Sequence, residues 1–396
     1  MKKTPLVLAY SGGLDTSYCL KKLSSEGYEV HAVSVNTGGF SSTEIKTIEK
    51  KAYQMGAHVY QNIDAIKSFY EQIVKYLIFG NVLKNNTYPL SVSAERIIQA
   101  VEILNYAKKI GAKHIAHGST GAGNDQVRFD LIFQVMAPEI EIITLIRDHQ
   151  LSREDEIAYL KSQGIDMSWE KAQYSINQGL WGTSVGGSET LTSNQALPDT
   201  AYPSALKTEK PTTIALHFKK GELTALDGKA DTPVQLIQQL QDLAKTYAIG
   251  RDIHVGDTII GIKGRVGFEA AAPLIILKAH HLLEKHTLTK WQLFQKEQLG
   301  NFYGMLLHEG QYLDPVMRNI EAFLESSQTH VSGTVQVALH PYRFELLGID
   351  SEHDLMQAQF GSYGEMNKGW TATEAKGFIK ITANAHKIYK SVNKNI

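Results

Sequence analysis

The sequence predicts an α/β protein: a parallel sheet with helices on both faces, then an α+β half, then a C-terminal helical arm. Three observations predict it. Short apolar strands alternate with helical stretches from residue 5 to about residue 165, the pattern of βαβ units. Two glycine-rich turns, at Ser11–Ser17 and His117–Phe129, each follow a predicted strand. They therefore share the carboxyl edge of the sheet, where such folds bind ligands. Beyond residue 165 the alternation stops and paired strands with short turns take over. The expected segments are 1–165, 166–360 and 361–396.

Pro5–Tyr10 is a short apolar run and reads as the first, buried strand; Leu14 to Gly27 continues as a helix. Tyr28–Val35 is the second strand, and Ser42 is placed to cap a helix carrying Ile45, Ile48, Ala52 and Met55 at helical spacing. Ala57–Tyr60 is a third strand, followed by a helix through Phe69, Ile73 and Leu77. A polar loop, Asn85–Pro89, precedes a long helix from Ser93 to Ile110. Lys113–His117 and Glu141–Ile146 complete the predicted sheet. Ser152-Arg-Glu-Asp155 has capping-box spacing for a helix that Gly164 ends.

In the second half, Gly179–Gly187 shows little periodicity, and Asn194–Thr213 carries three prolines and reads as a long ordered loop. Thr213–Phe218 and Glu222–Leu226 form a hairpin around Lys220-Gly221. A helix over Val234–Tyr247, a strand at Thr258–Ile262 and helices over Ile275–His286, Trp291–His308 and Val316–Leu324 follow. Val331–His340 and Arg343–Leu347 make a second hairpin. The arm holds a last helix near Ala383–Val392, with few apolar residues to bury on its own core. Such an arm either packs on a neighbouring subunit or frays in solvent.

Composition narrows the class. Of 396 residues, 43% are hydrophobic and 20% charged, and the formal net charge is −1. That balance speaks against a general nucleic-acid binder. One cysteine, Cys19, leaves no disulfide framework and no cysteine-based zinc site, which points to a reducing, cytoplasmic setting. The N-terminal apolar run is too short for a signal peptide, and no window is long and apolar enough to span a membrane.

The chemistry gathers in the two turns. Ser11-Gly12-Gly13-Leu14-Asp15-Thr16-Ser17 runs from a strand into a helix N-terminus. Its glycines let the backbone approach closely, and the first helical amides are free donors at the positive end of the dipole. Ser11, Thr16 and Ser17 add hydroxyls, and Asp15 offers a carboxylate to a metal riding on phosphates. This is neither a Walker A loop nor a dinucleotide fingerprint. In the second turn, Asp125 suits an ammonium, Arg128 suits a carboxylate in fork geometry, and Thr120 and Asn124 suit a second carboxylate. These are complements for zwitterionic amino acids.

Ser-Gly-Gly-Leu-Asp-Thr-Ser resembles the pyrophosphate loop of the N-type ATP pyrophosphatases, whose nucleotide domain is adenine nucleotide α-hydrolase-like. Those enzymes split ATP between the α and β phosphates. Ala9-Tyr-Ser-Gly-Gly-Leu-Asp-Thr-Ser17 together with His117-Gly-Ser-Thr-Gly-Ala-Gly-Asn-Asp-Gln-Val-Arg-Phe129 resembles the argininosuccinate synthase family. The likeness returns at Tyr174–Gly182, Ile259–Arg265, Gly333–Val337 and Ala375–Ile379. It implies a carbon–nitrogen ligase of arginine biosynthesis and the urea cycle that uses ATP and Mg2+. Citrulline's ureido oxygen would attack the α-phosphorus, pyrophosphate would leave, and the aspartate amine would displace AMP. The resemblance also implies a homotetramer.

By the same resemblance, ATP would be held by Ala9, Tyr10, Ser11, Gly12, Gly13, Leu14, Asp15, Thr16, Ser17, Val35 and Gly118, with Asp15 the candidate for magnesium. L-aspartate would be held by Thr120, Asn124 and Asp125. L-citrulline would be held by Tyr88, Ser93, Asn124, Arg128, Ser175 and Ser184, with Gly256 and Phe268 at two further positions. Asp15, Asp125 and Arg128 are the implied catalytic residues. His117 stands beside this group and reads as structural.

The sequence departs from the family in one region. Asn177-Gln178-Gly179 stands where the family has Asp-Glu-Asn, Gly256 where it has a citrulline-binding glutamate, and Phe268 where it has a tyrosine. One reading is that Asp257 or Glu269 takes over the lost charge. The other is that the acceptor is an N-acylated citrulline, because a desolvated carboxylate facing a free ammonium is worth several kcal/mol, in order of magnitude. An RNA-modifying ATP pyrophosphatase and a non-catalytic nucleotide-binding relative are the remaining alternatives. The cysteine count opposes the first and the two intact loops oppose the second.

Overall fold

The chain was analysed as a computed structural model that describes residues 4–165, 167, 169, 173–357, 361, 363–366 and 368–393. Residues 166, 360 and 396, which bound two of the expected segments, lie outside the described residues.

The first half is a five-stranded parallel sheet in the order β3-β2-β1-β4-β5. Its strands are β1 (Pro5–Ala9), β2 (Glu29–Asn36), β3 (Val59–Asp64), β4 (His114–Ala116) and β5 (Glu141–Ile143). Alternate side chains serve opposite faces. Leu6, Leu8, Val30 and Ala32 pack into one apolar cluster, and Val7, Val33 and Val35 into another. Helices α1 (Leu14–Ser25) and α2 (Ser42–Met55) cover the first face. The second is covered by α3 (Ile66–Phe69), a π-helical turn Tyr70–Val74, α4 (Lys75–Phe79), α5 (Ser91–Ile110) and α6 (Asp125–Met136). α7 (Leu145–Asp148) and α8 (Arg153–Ser162) return to the first.

Several expectations shift. The helix over Phe69–Leu77 is not uniform but contains the π turn. Ser41, not Ser42, caps α2, because its hydroxyl reaches Glu44 in a reciprocal capping box. The run Glu141–Ile146 stops being a strand at Ile143, and α7 takes Leu145 onward.

The second half carries two antiparallel sheets. One has the order β10-β9-β8-β13-β14, built from β8 (Thr212–Lys219), β9 (Glu222–Leu226), β10 (Lys229–Ala230), β13 (Gly333–His340) and β14 (Arg343–Asp350). The other has the order β11-β12-β7-β6, from β6 (Ser175–Gly179), β7 (Gly182–Gly186), β11 (Arg251–Asp257) and β12 (Lys263–Glu269). Two predictions fail here. Gly179–Gly187, read as irregular, lies largely in the β6–β7 hairpin. Thr258–Ile262, read as a strand, is the turn joining β11 to β12. Helices α9 (Pro233–Ala244), α10 (Ala271–Thr287), α11 (Lys290–His308) and α12 (Pro315–Ser327) pack among these sheets. The arm holds two helices, α13 (Ala372–Thr382) and α14 (Asn384–Val392), instead of one, and neither buries a residue.

One apolar cluster runs through both halves, from Val7 and Phe69 through Leu180 and Trp181 to Leu339. It sets the small four-stranded sheet against α5, over the carboxyl edge of the parallel sheet.

Candidate active site

The first glycine loop has the form of an anion cradle. Gly12 adopts φ +77°, open to glycine and strained for other residues. Gly13 is the N-cap of α1, and no side chain caps that helix, so its first amides face outward unsatisfied. The loop is braced by its own hydroxyls: Gly13 N donates to Ser11 Oγ (3.3 Å), and Thr16 Oγ1 donates to the Gly13 carbonyl (3.3 Å). Ser17 is buried against Tyr10 OH (3.4 Å). Among the described residues no cationic side chain pairs with the Asp15 carboxylate; burial, and then the charge of Asp15, push the carboxyl of Glu156 on α8 up to about 8.

The second glycine turn meets the first. A Cβ on Gly118 would lie 3.3 Å from Asp15 and 3.2 Å from Thr16, so the two loops are in contact there. His117 is structural, as expected: its Nε2 meets Asp130 Oδ1 at 2.8 Å, and Nδ1 accepts from Ser119 N at 3.2 Å. Arg147 fixes Asp130 from the other side at 2.7 Å. Gln126 ties the turn by donating to the Gly121 and Gly123 carbonyls.

Beyond the turn lies a charged knot. Asp125 accepts from Arg96 Nε (2.9 Å) and Arg128 Nη1 (3.0 Å). Desolvation pushes its carboxyl up, but the two guanidinium groups outweigh it and hold it below the usual carboxylate range. Arg128 is buried and heavily engaged. Its Nε and Nη2 donate to the His308 carbonyl and Nη2 also to Ser93 Oγ. With five N–H groups on a guanidinium, only one on Nη1 is left, so the free fork expected for a carboxylate does not exist in this arrangement. Asn124 Oδ1 accepts from Ile259 N (2.9 Å), which docks the β11–β12 turn on the loop, and among the described residues its amide NH2 has no hydrogen-bond acceptor. Thr120 is exposed beside it.

Strand register gathers the remaining positions. Asn177 is opposite Ser184, Ser184 opposite Phe268, and Phe268 opposite Asp252. Cross-strand partners share a face. Ser175, Asn177, Gly179, Ser184, Phe268 and Gly256 therefore lie on one face of the four-stranded sheet. Tyr88 packs on that face, its ring 5.4 Å from Phe268 and 5.3 Å from His254. The Tyr88 hydroxyl accepts from Ser91 Oγ and Val92 N. Val35 is the outlier, since its side chain lies in the core and offers a ligand only its main chain.

The departures from the family pattern gain a physical outline. Neither proposed substitute carboxylate is free: Asp257 pairs with Lys263 at 2.5 Å, and Glu269 is buried against Arg251 (3.2 Å) and Ser204. A side chain at Gly256 would meet His254 Nε2 at 2.6 Å. Burial and then Lys84 lower the basicity of His254; burial and then Arg128 push His308 down to about 3. The atoms nearest a side chain at Gly256 are thus imidazole and the Asn85 amide, whose Nδ2 would lie at 3.4 Å. At Gly179, conversely, the missing side chain is replaced: a Cβ there would lie 1.4 Å from Glu95 Oε1. Glu95 accepts from Thr37 Oγ1 at 3.1 Å through Oε2, while Oε1 has no hydrogen-bond partner among the described residues. Burial pushes its carboxyl up to about 8, against the pull of Arg96.

Arg96, Glu95, Glu156 and His254 were not among the expected site residues. For the two acids a signal existed, because Glu95 and Glu156 lie on the buried stripes of their helices, in step with Ile98 and Leu160.

A parallel sheet bearing two apposed glycine loops at its carboxyl edge, facing a polar sheet, defines a nucleotide-handling α/β protein of the HUP class. The profile described as "Arginosuccinate synthase N-terminal HUP domain" matches residues 5–166, and "Arginosuccinate synthase C-terminal domain" matches residues 174–389. The chain is 37% identical to argininosuccinate synthase of Xanthomonas campestris pv. campestris, over the whole of both chains. It is 36% identical to that of Methanocaldococcus jannaschii, covering 94% of this chain and 95% of the relative. For Sulfolobus acidocaldarius the figures are 34%, 95% and 96%. The chain belongs to the argininosuccinate synthase family.

Proposed function

We propose that this protein is an argininosuccinate synthase, ligating L-citrulline and L-aspartate at the expense of ATP, which leaves as AMP and pyrophosphate. The observation that carries the reading is the contact between the two glycine loops at Gly118 and Asp15, which sets a phosphate cradle beside a turn rich in amino-acid-binding groups. In this reading the loop Ala9–Ser17, Gly118 and the main chain at Val35 hold ATP. The uncapped amides of α1 meet the charge that develops as pyrophosphate leaves. Thr120, the free amide of Asn124 and Asp125 hold aspartate. Tyr88, Ser93, Arg128, Ser175 and Ser184 hold citrulline with its ureido oxygen toward the α-phosphorus. Positioning and electrostatics carry the first step, and no side-chain nucleophile is required.

The ion that accompanies ATP is read as Mg2+. The unpaired Asp15 carboxylate fits such an ion, which would neutralise phosphate charge. Cytoplasmic location and a homotetramer built partly through the arm complete the proposal.

The test is formation of AMP, pyrophosphate and argininosuccinate that requires ATP, citrulline and aspartate together. N-acetyl- and N-succinylcitrulline serve as parallel acceptors, because imidazole and an amide, not a carboxylate, are the groups nearest a side chain at Gly256. Higher kcat/KM with free citrulline supports the proposal. Higher kcat/KM with an N-acyl form assigns the acylated acceptor, and no turnover with any of them overturns the proposal.

A further inference from the structure

His254 has no packing reason to be an imidazole. It lies on β11 and shares its face of the four-stranded sheet with Gly256, Phe268 and Ser184. Its ring stacks on that of Tyr88, with centroids 5.3 Å apart. The residue is 6% exposed, and its Nδ1 is buried with no hydrogen-bond partner among the described residues. A hydrocarbon would pack on Tyr88 as well, without leaving a buried nitrogen unpaired at a cost in stability.

The ring is neutral, because burial and then the charge of Lys84 lower its basicity. A neutral imidazole carries one N–H and one lone pair. Buried orphan N–H groups are rarer than orphan acceptors, which assigns the lone pair to Nδ1 and the proton to Nε2. Nε2 is the ring atom nearest the empty place at Gly256, 2.6 Å from where a Cβ would stand. Asn85 Nδ2 lies 3.4 Å from the same point. It gives one N–H to the Val255 carbonyl (3.0 Å) and keeps a second. Two N–H donors thus meet where residue 256 has no side chain, and a pair of donors suits an oxygen, not an ammonium.

We propose that His254 is a specificity-determining residue whose Nε2–H, with the amide of Asn85, binds an oxygen at the amino-acid end of the ureido acceptor. That oxygen is the carboxylate of a free amino acid or the acyl carbonyl of an N-acylated one. Arg128 has most of its N–H groups committed to Asp125, Ser93 and the His308 carbonyl, so the acceptor's oxygens need donors from elsewhere. The acceptor therefore lies with its oxygen, and not its nitrogen, over Gly256. The inference rests on the reading of this sheet face as the citrulline site.

The test is steady-state kinetics of the full chain, with the acceptor varied at saturating ATP and aspartate. His254→Phe keeps a flat ring against Tyr88 and removes the donor. It raises KM for the acceptor by at least about tenfold. KM for ATP and for aspartate stays within about twofold, the pattern of lost binding with the chemistry intact. His254→Gln puts a side-chain N–H near the Nε2 position and holds the acceptor KM within about threefold of the parent. Citrulline and N-acetylcitrulline are compared in each protein. A loss with citrulline, whether or not the acylated form follows it, assigns the carboxylate; a loss confined to N-acetylcitrulline assigns the acyl carbonyl. If His254→Phe does not fold, His254→Leu is measured in its place under the same criteria. An acceptor KM unchanged in His254→Phe, or raised as far in His254→Gln, overturns this inference and leaves the ligase reading standing. A parent protein that turns over neither acceptor overturns the ligase reading and this inference with it.

Discussion

Glu95 sits on the buried stripe of α5 and is accommodated because residue 179 has no side chain. Its carboxyl in the folded protein is raised to about 8, so the folded state holds a proton there that the unfolded chain releases near its ordinary value of about 4.3. Stability from this position is therefore highest at low pH and is lost as pH climbs between those two values. The shift corresponds to roughly 4 to 5 kcal/mol. Glu95→Gln should flatten the stability curve between about pH 5 and 8, read as urea midpoints across that range; an unchanged slope would refute the assignment. Asp125, held between two guanidinium groups, answers differently. Asp125→Asn should lower kcat/KM for aspartate by about a hundredfold, near 2.7 kcal/mol, with much less change in ATP affinity; equal losses for both substrates would refute the role. The residues of both glycine turns were legible because their chemistry is concentrated in consecutive positions. Arg96 was not, because a charge within a helix reads as a solvated face until packing shows which way the helix turns; Glu95 and Glu156 were passed over although their spacing to Ile98 and Leu160 carried the signal.

At the level of elements, legibility followed polarity. The parallel sheet was readable since its strands are apolar runs buried on both sides. The β11 and β12 strands were missed because His254, Gly256, Arg265 and Gly267 break any apolar alternation. The apolar Thr258–Ile262 turn drew the assignment instead, and its exposed Ile260 and Ile262 show that it does not serve a core. Another unreadable feature is the polar knot joining α4, α10, α11 and α12. Lys296 Nζ donates to the Phe79 carbonyl at 2.6 Å and pairs with Glu284 at 2.9 Å. Asn81 and Gln328 donate to the same carboxylate. All four side chains come from different stretches of sequence. Lys296→Met leaves Glu284 buried without its cation and should cost about 3 to 5 kcal/mol, measured by chemical denaturation. A loss below about 1 kcal/mol would mean that the amides alone sustain that charge.

At the level of the whole molecule, α13 and α14 expose Phe378, Ile379, Ile381, Ile388, Tyr389 and Val392, each more than 60% accessible. Apolar faces of this kind ordinarily find a partner. Truncation after Gly361 should reduce the number of subunits per assembly, read as light-scattering mass divided by subunit mass; an unchanged subunit number would remove the arm from assembly. The continuous core has a consequence for the order in which the chain is made. Leu90, Ala94, Ile97 and Ile98 emerge from the ribosome long before Leu180, Trp181, Phe268 and Leu307, which belong to the same cluster. A nascent chain halted near residue 165 presents these positions without that cover. Such intermediates aggregate readily, so yield should depend on chaperone supply during synthesis far more than the stability of the finished enzyme would suggest.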